Sequence, residues 1–82
     1  MMNHYIATFY SHFGAMRYRK ICENRGLNAK EMPVPRTLSS SCGTCVSYEA
    51  LEPVMDEKYL DEIEQIVLVV SDGYEGIYSA EG

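Results

Sequence analysis

The chain has 82 residues, 46% hydrophobic and 23% charged, enough for a single domain over residues 1–82 near the lower size limit for one hydrophobic core. That size excludes a second domain or a deep enclosed substrate cavity, and the composition excludes a disordered chain. A formal net charge of −5 argues against a nucleic-acid binder.

The run Tyr5-Ile6-Ala7-Thr8-Phe9-Tyr10 is β-branched, aromatic and apolar on both faces, which predicts a central strand. Ser11 follows as an N-cap. Ala15, Tyr18 and Cys22, joined by Met16 and Ile21, then form one apolar stripe of a helix over residues 12–25, with Arg17 and Lys20 on the other side. Gly26 stands where a left-handed residue would close it. All the Lys and Arg except Lys58 lie before Tyr48, whereas all the acids except Glu23 and Glu31 lie from Glu49 onward. The basic helix surface reads first as a solvated face and second as a docking face for an acidic partner.

Residues 28–34 predict a second strand, placed at a sheet edge because Pro33 and Pro35 cannot donate ladder hydrogen bonds. Residues 35–43 form a loop, and 44–49 alternate as a third strand. Met55 and Asp56 read as a hydrophobic staple and N-cap, with Leu60 at the matching position. Leu60, Ile63, Val67 and Val70 recur at helical spacing before Gly73, which predicts a second helix, although the β-branched Ile66–Val70 also suits a strand. Residues 74–79 close the chain as a last strand.

The resulting order is β-α-β-β-α-β: an α+β, ferredoxin-like arrangement, with a four-stranded antiparallel sheet and both helices on one face. In that topology Ser11, His12, Cys42, Cys45 and Asp72 gather at one end of the sheet.

Cys42-Gly43-Thr44-Cys45 matches C-x-x-C. A thioredoxin-type pair would open a helix, but this pair enters a strand. A closed zinc site needs four ligands, which Cys22, His4 and His12 do not readily complete. Cys45 reads best as a packed small hydrophobe. Cys42 lies in a loop longer than an ordinary hairpin connection, the kind that often carries function. Ser39, Ser40, Ser41 and Gly43 offer hydroxyls and backbone N–H groups for an anion. Arg36 and the helix N-terminus favour negative charge on the sulfur. His12, in the first turn, reads first as solvated and second as a proton shuttle or transient ligand.

No basic segment followed by an apolar stretch opens the chain, and the longest aliphatic run, Ile66–Val70, falls far short of the roughly 20 residues a membrane helix needs. The expectation is a cytoplasmic protein with reduced thiols and no membrane partner.

The run Met32-Pro33-Val34-Pro35-Arg36-Thr37-Leu38-Ser39-Ser40-Ser41-Cys42-Gly43, with its preceding strand and helix and the closing Tyr74-Glu75-Gly76-Ile77-Tyr78, resembles the selenium/sulfur carrier-like family of small bacterial proteins. Pro-Arg-x-Leu-Ser-Ser-Ser-Cys-Gly is the most specific part. The resemblance implies a chalcogen held on Cys42, in a loop shaped by Arg36 and the serines. The chain departs from that pattern at Cys45, where an aliphatic residue is expected. Cys45 then either resolves a persulfide into a disulfide or substitutes in the core.

The expected function is a sulfur or selenium carrier rather than an enzyme with its own turnover. It would exchange cargo with a donor such as a cysteine desulfurase and with an acceptor enzyme, without a cofactor. Exposed edge strands leave a homodimer open. The alternatives are a metal-binding or metallochaperone module using Cys42 and Cys45, with or without His12, and a non-catalytic interaction domain.

Overall fold

The computed structural model describes residues 2–81. Strand β1 (Asn3–Phe9) is central, and every residue from Tyr5 to Phe9 is buried. Its sequence is apolar on both faces because both faces are covered. Helix α1 (His12–Asn24) starts at Ser11, whose extended backbone lets its Oγ accept from the Gly14 N–H at 3.1 Å. The helix ends in a Schellman motif: Gly26 adopts φ +78, its N–H donates to the Glu23 carbonyl at 2.9 Å, and the Leu27 N–H donates to the Cys22 carbonyl at 3.0 Å. Its buried face is Gly14, Ala15, Tyr18 and Cys22.

Strands β2 (Ala29–Pro33) and β3 (Thr44–Ala50) follow, then a 3-10 helix (Glu57–Glu62), β4 (Ile63–Val70) and β5 (Gly73–Ser79). Among the described residues the five strands form one sheet in the order β2-β3-β1-β4-β5, each neighbour antiparallel. Proline-marked β2 is an edge strand, as expected.

The ferredoxin-like expectation of four strands and two helices is therefore wrong, and the reason lies in β4. Residues 63–70 form a strand flanked by β1 and β5, so they need apolar groups on both faces. Ile63, Ile66 and Leu68 join the cluster under α1, whereas Val67 and Val69 join the cluster on the opposite face. Two-sided burial removes the period-2 signal and leaves a spacing that imitates a helix. Asp56 does cap a helix, its Oδ1 accepting from the Lys58 N–H at 3.1 Å, but that helix is a 3-10 segment ending at Glu62. Met55 is exposed.

One helix covers only one face. Under α1 lie Tyr5, Ala7, Phe9, Val46, Tyr48, Ala50, Ile63 and Ile66. The other face buries Ile6, Cys45 and Val67 beneath Met32, Val34, Leu38, Val69 and Tyr74. Val34 and Leu38 come from the β2–β3 loop, so that loop supplies part of the second core. Two basic residues of the helix are engaged within the chain: Arg17 pairs with Glu62, and Arg19 with Glu23 (2.9 Å) and Glu31 (2.8 Å). No helix among the described residues is long and apolar enough to cross a membrane.

Candidate functional site

The site is the loop between β2 and β3. The Val34 N–H donates to the Gly43 carbonyl at 3.1 Å, extending the ladder one step beyond the Pro33–Thr44 pair, and this closes the excursion at its base. A turn over Pro35–Leu38 is closed by the Leu38 N–H on the Pro35 carbonyl at 3.0 Å. Gly43 takes φ +76, a left-handed conformation that glycine adopts without strain, and the chain there turns into β3.

Three further ties hold the serine run against the sheet. The Ser40 hydroxyl donates to the Phe9 carbonyl (3.2 Å), and the Gln65 amide donates to the Ser39 carbonyl (3.3 Å). Ser41 makes a two-point contact with Glu64, its N–H reaching Oε1 at 3.0 Å and its hydroxyl reaching Oε2 at 2.7 Å. Glu64 is available for this because β4 bulges there: Phe9 lies opposite Ile63 and Thr8 opposite Gln65, leaving Glu64 as the extra residue.

Cys42 sits between these anchors. It is partly buried against the α1-side cluster. Its thiol donates to the Thr44 carbonyl at 3.4 Å, and the Ser40 hydroxyl lies 4.0 Å away. Thr44 also contacts the start of α1, its hydroxyl 2.7 Å from His12 Nδ1. The structure thus brings Ser40, Ser41, Cys42, Thr44 and His12 to one end of the sheet. Arg36 is exposed on the adjoining turn and takes no part in the ion pairs seen among the described residues.

Two expectations about this end need correction. Asp72 belongs to the β4–β5 turn, beyond Val70. Since β4 runs antiparallel to β1 with Tyr5 opposite Leu68, Asp72 lies at the other end of the sheet. The acids near the loop are instead Glu64 and Glu81, which line a shallow open pocket of about 220 Å³ with Tyr10, Ser39, Gln65 and Ser79. The serine run is also not an empty anion nest, because the Ser41 donors already hold a carboxylate. Glu64 escaped sequence reasoning because it fell inside the expected second helix; its role depends on a bulge that no local pattern announces.

Burial separates the three cysteines. Cys22 is buried under α1 and Cys45 on the opposite face, where its thiol donates to the Pro33 carbonyl at 3.7 Å. Desolvation pushes Cys22 to about 11, and desolvation together with the neighbouring Cys42 pushes Cys45 to about 11. Cys45 packs as a core residue, and its sulfur and that of Cys42 belong to different clusters. Among the described residues no three His, Cys, Asp or Glu side chains come together as a metal site requires.

The family described as "Putative Se/S carrier protein-like" matches residues 4–79. The chain belongs to this family. The match takes in α1, the whole serine–cysteine loop and all five strands save Asn3 at the start of β1. No curated protein and no solved structure matches the chain.

Proposed function

We propose that the protein carries one sulfur or selenium atom on Cys42 between a donor protein and an acceptor enzyme. The observation that supports this most directly is the contrast among the thiols: Cys22 and Cys45 are sealed in the two cores, and Cys42 alone is partly open, in a loop held by its neighbours. The family description points the same way.

Loading would proceed by thiol–persulfide exchange with a protein-bound persulfide. The Cys42 sulfur, having given up its proton, attacks the outer sulfur of the donor. A Cys42–S bond to that sulfur forms, the donor's S–S bond breaks, and the donor sulfur leaves as a thiolate that takes up a proton. Cys42–SH and R–S–SH become Cys42–S–SH and R–SH, with no external oxidant. Arg36, exposed on the neighbouring turn, would meet negative charge on the cargo or a partner.

Incubation with a cysteine desulfurase and cysteine, or with a selenium donor, should add the mass of one chalcogen atom. The added mass should map to Cys42, be lost on reduction, and be absent from Cys42→Ser. Equal loading of wild type and Cys42→Ser would end this reading. Among the described residues the metal-module reading lacks a third ligand beside Cys42, and no observation favours it.

A further inference from the structure

A carrier needs donors for the negative charge on its terminal chalcogen, and Ser41, next to Cys42, offers two, its N–H and its hydroxyl. Both are taken by Glu64. The contact uses both carboxylate oxygens, as charge-assisted bonds do when an anion is held rather than merely near. The residue is also fixed from behind: its carbonyl accepts from the Ala80 N–H at 2.9 Å, and the preceding Glu62 carbonyl accepts from the Tyr10 N–H at 3.3 Å. Glu62 has Arg17 as its counter-ion, whereas Glu64 is in none of the ion pairs among the described residues. Its negative charge therefore stands beside the thiol loop with only hydrogen-bond donors to balance it.

We propose that Glu64 is the loop's resident anion: it occupies the Ser41 donors in the unloaded protein, turns away small free anions, and yields those donors only to negative charge delivered covalently on Cys42. The consequence for cargo rests on the carrier reading. Free sulfide, selenide or thiosulfate-like anions are poor donors for such a site, and a persulfide presented by a protein surface is the suitable class. Once the terminal atom is attached it competes for Ser41 from within the loop, and Glu64 turns toward water. That exchange makes and breaks hydrogen bonds only.

The test compares alkylation of Cys42 by iodoacetate, an anion, and iodoacetamide, its neutral counterpart. Both react with the thiolate, so their rate ratio cancels the ionisation of Cys42 itself; mapping by mass confines the reading to that residue. Glu64→Gln should raise the iodoacetate-to-iodoacetamide ratio roughly two- to fivefold at low ionic strength, a gain that shrinks in about 1 M salt. Glu64→Asp, which keeps the charge but shortens the reach, should stay near the wild-type ratio. An unchanged ratio in Glu64→Gln overturns the proposal. So does a Glu64→Asp ratio equal to that of Glu64→Gln, which would mark a loosened loop rather than a lost charge. No donor protein enters the measurement, so the two readings fail separately. A protein that shows the Gln effect but loads no chalcogen loses the carrier function and keeps an anion-excluding Glu64. One that loads but shows no effect keeps the carrier and loses this role.

Discussion

The Tyr18 hydroxyl donates to the Val54 carbonyl across 2.6 Å in the buried layer under α1. Tyr48 completes the contact: its oxygen accepts from the Val54 N–H at 3.0 Å and lies 2.9 Å from the Tyr18 oxygen, so both polar groups of Val54 are met by phenols. Tyr18→Phe would leave the Val54 carbonyl without its donor at nearly constant volume. The expected cost is about 1–3 kcal/mol in chemical denaturation. A variant as stable as wild type would show that water reaches the carbonyl instead.

Alkaline pH should weaken the fold. Burial raises Cys22 and Cys45 from 9.0 to about 11 and Tyr48 from 10.0 to about 12. The folded state holds these protons more tightly than the unfolded chain does. Their contribution is therefore complete below pH 9 and is lost as pH rises through about 11 and 12. Melting temperature followed against pH should be level up to about 9 and then fall. Cys45→Val, which removes one of the groups, should make the decline shallower, and an identical slope would remove Cys45 from the account.

Thiol labelling should divide the cysteines sharply. In native buffer a small neutral alkylating reagent should modify Cys42 and leave Cys22 and Cys45 untouched until denaturant is added, since both are 0% exposed. Peptide mass mapping before and after unfolding checks this. Native labelling of Cys45 at a rate near that of Cys42 would mean that the loop opens readily.

Gly43 and Gly76 provide a matched comparison. A Cβ on either meets nothing within 4 Å, but only Gly43 has a left-handed backbone, at φ +76. Gly43→Ala should cost about 1–2 kcal/mol through backbone strain alone, whereas Gly76→Ala should be close to neutral. Equal effects in thermal melts would mean that the turn beside Cys42 can relax to another conformation.

The parts of the fold legible in the sequence were those with one-sided chemistry. Ser11 and Gly26 marked the ends of α1, Pro33 marked an edge strand, and Ala15, Tyr18 and Cys22 of the expected helical stripe are buried. What misled was β4, where Ile63 and Val67 share a helical spacing yet face opposite sides of the sheet. Cys42 was legible because it sits in a long serine-rich loop. The partners of that loop were not: Glu64, Gln65 and Phe9 reach it through strand register, and register is a property of pairing rather than of any one segment.

The β2–β3 loop contributes Val34 and Leu38 to the cover over Ile6, Cys45 and Val67. The loop that carries Cys42 is thus also the roof of the smaller core, while Cys42 itself packs against the larger one. A partner that lifts the loop to reach the sulfur also uncovers aliphatic surface, and must present apolar groups of its own or work against the hydrophobic cost of leaving it wet. Displacement of the loop and integrity of the smaller core are one mechanical variable. Engagement of a partner at Cys42 should then register as altered amide exchange along β1, β3 and β4 as well as in the loop.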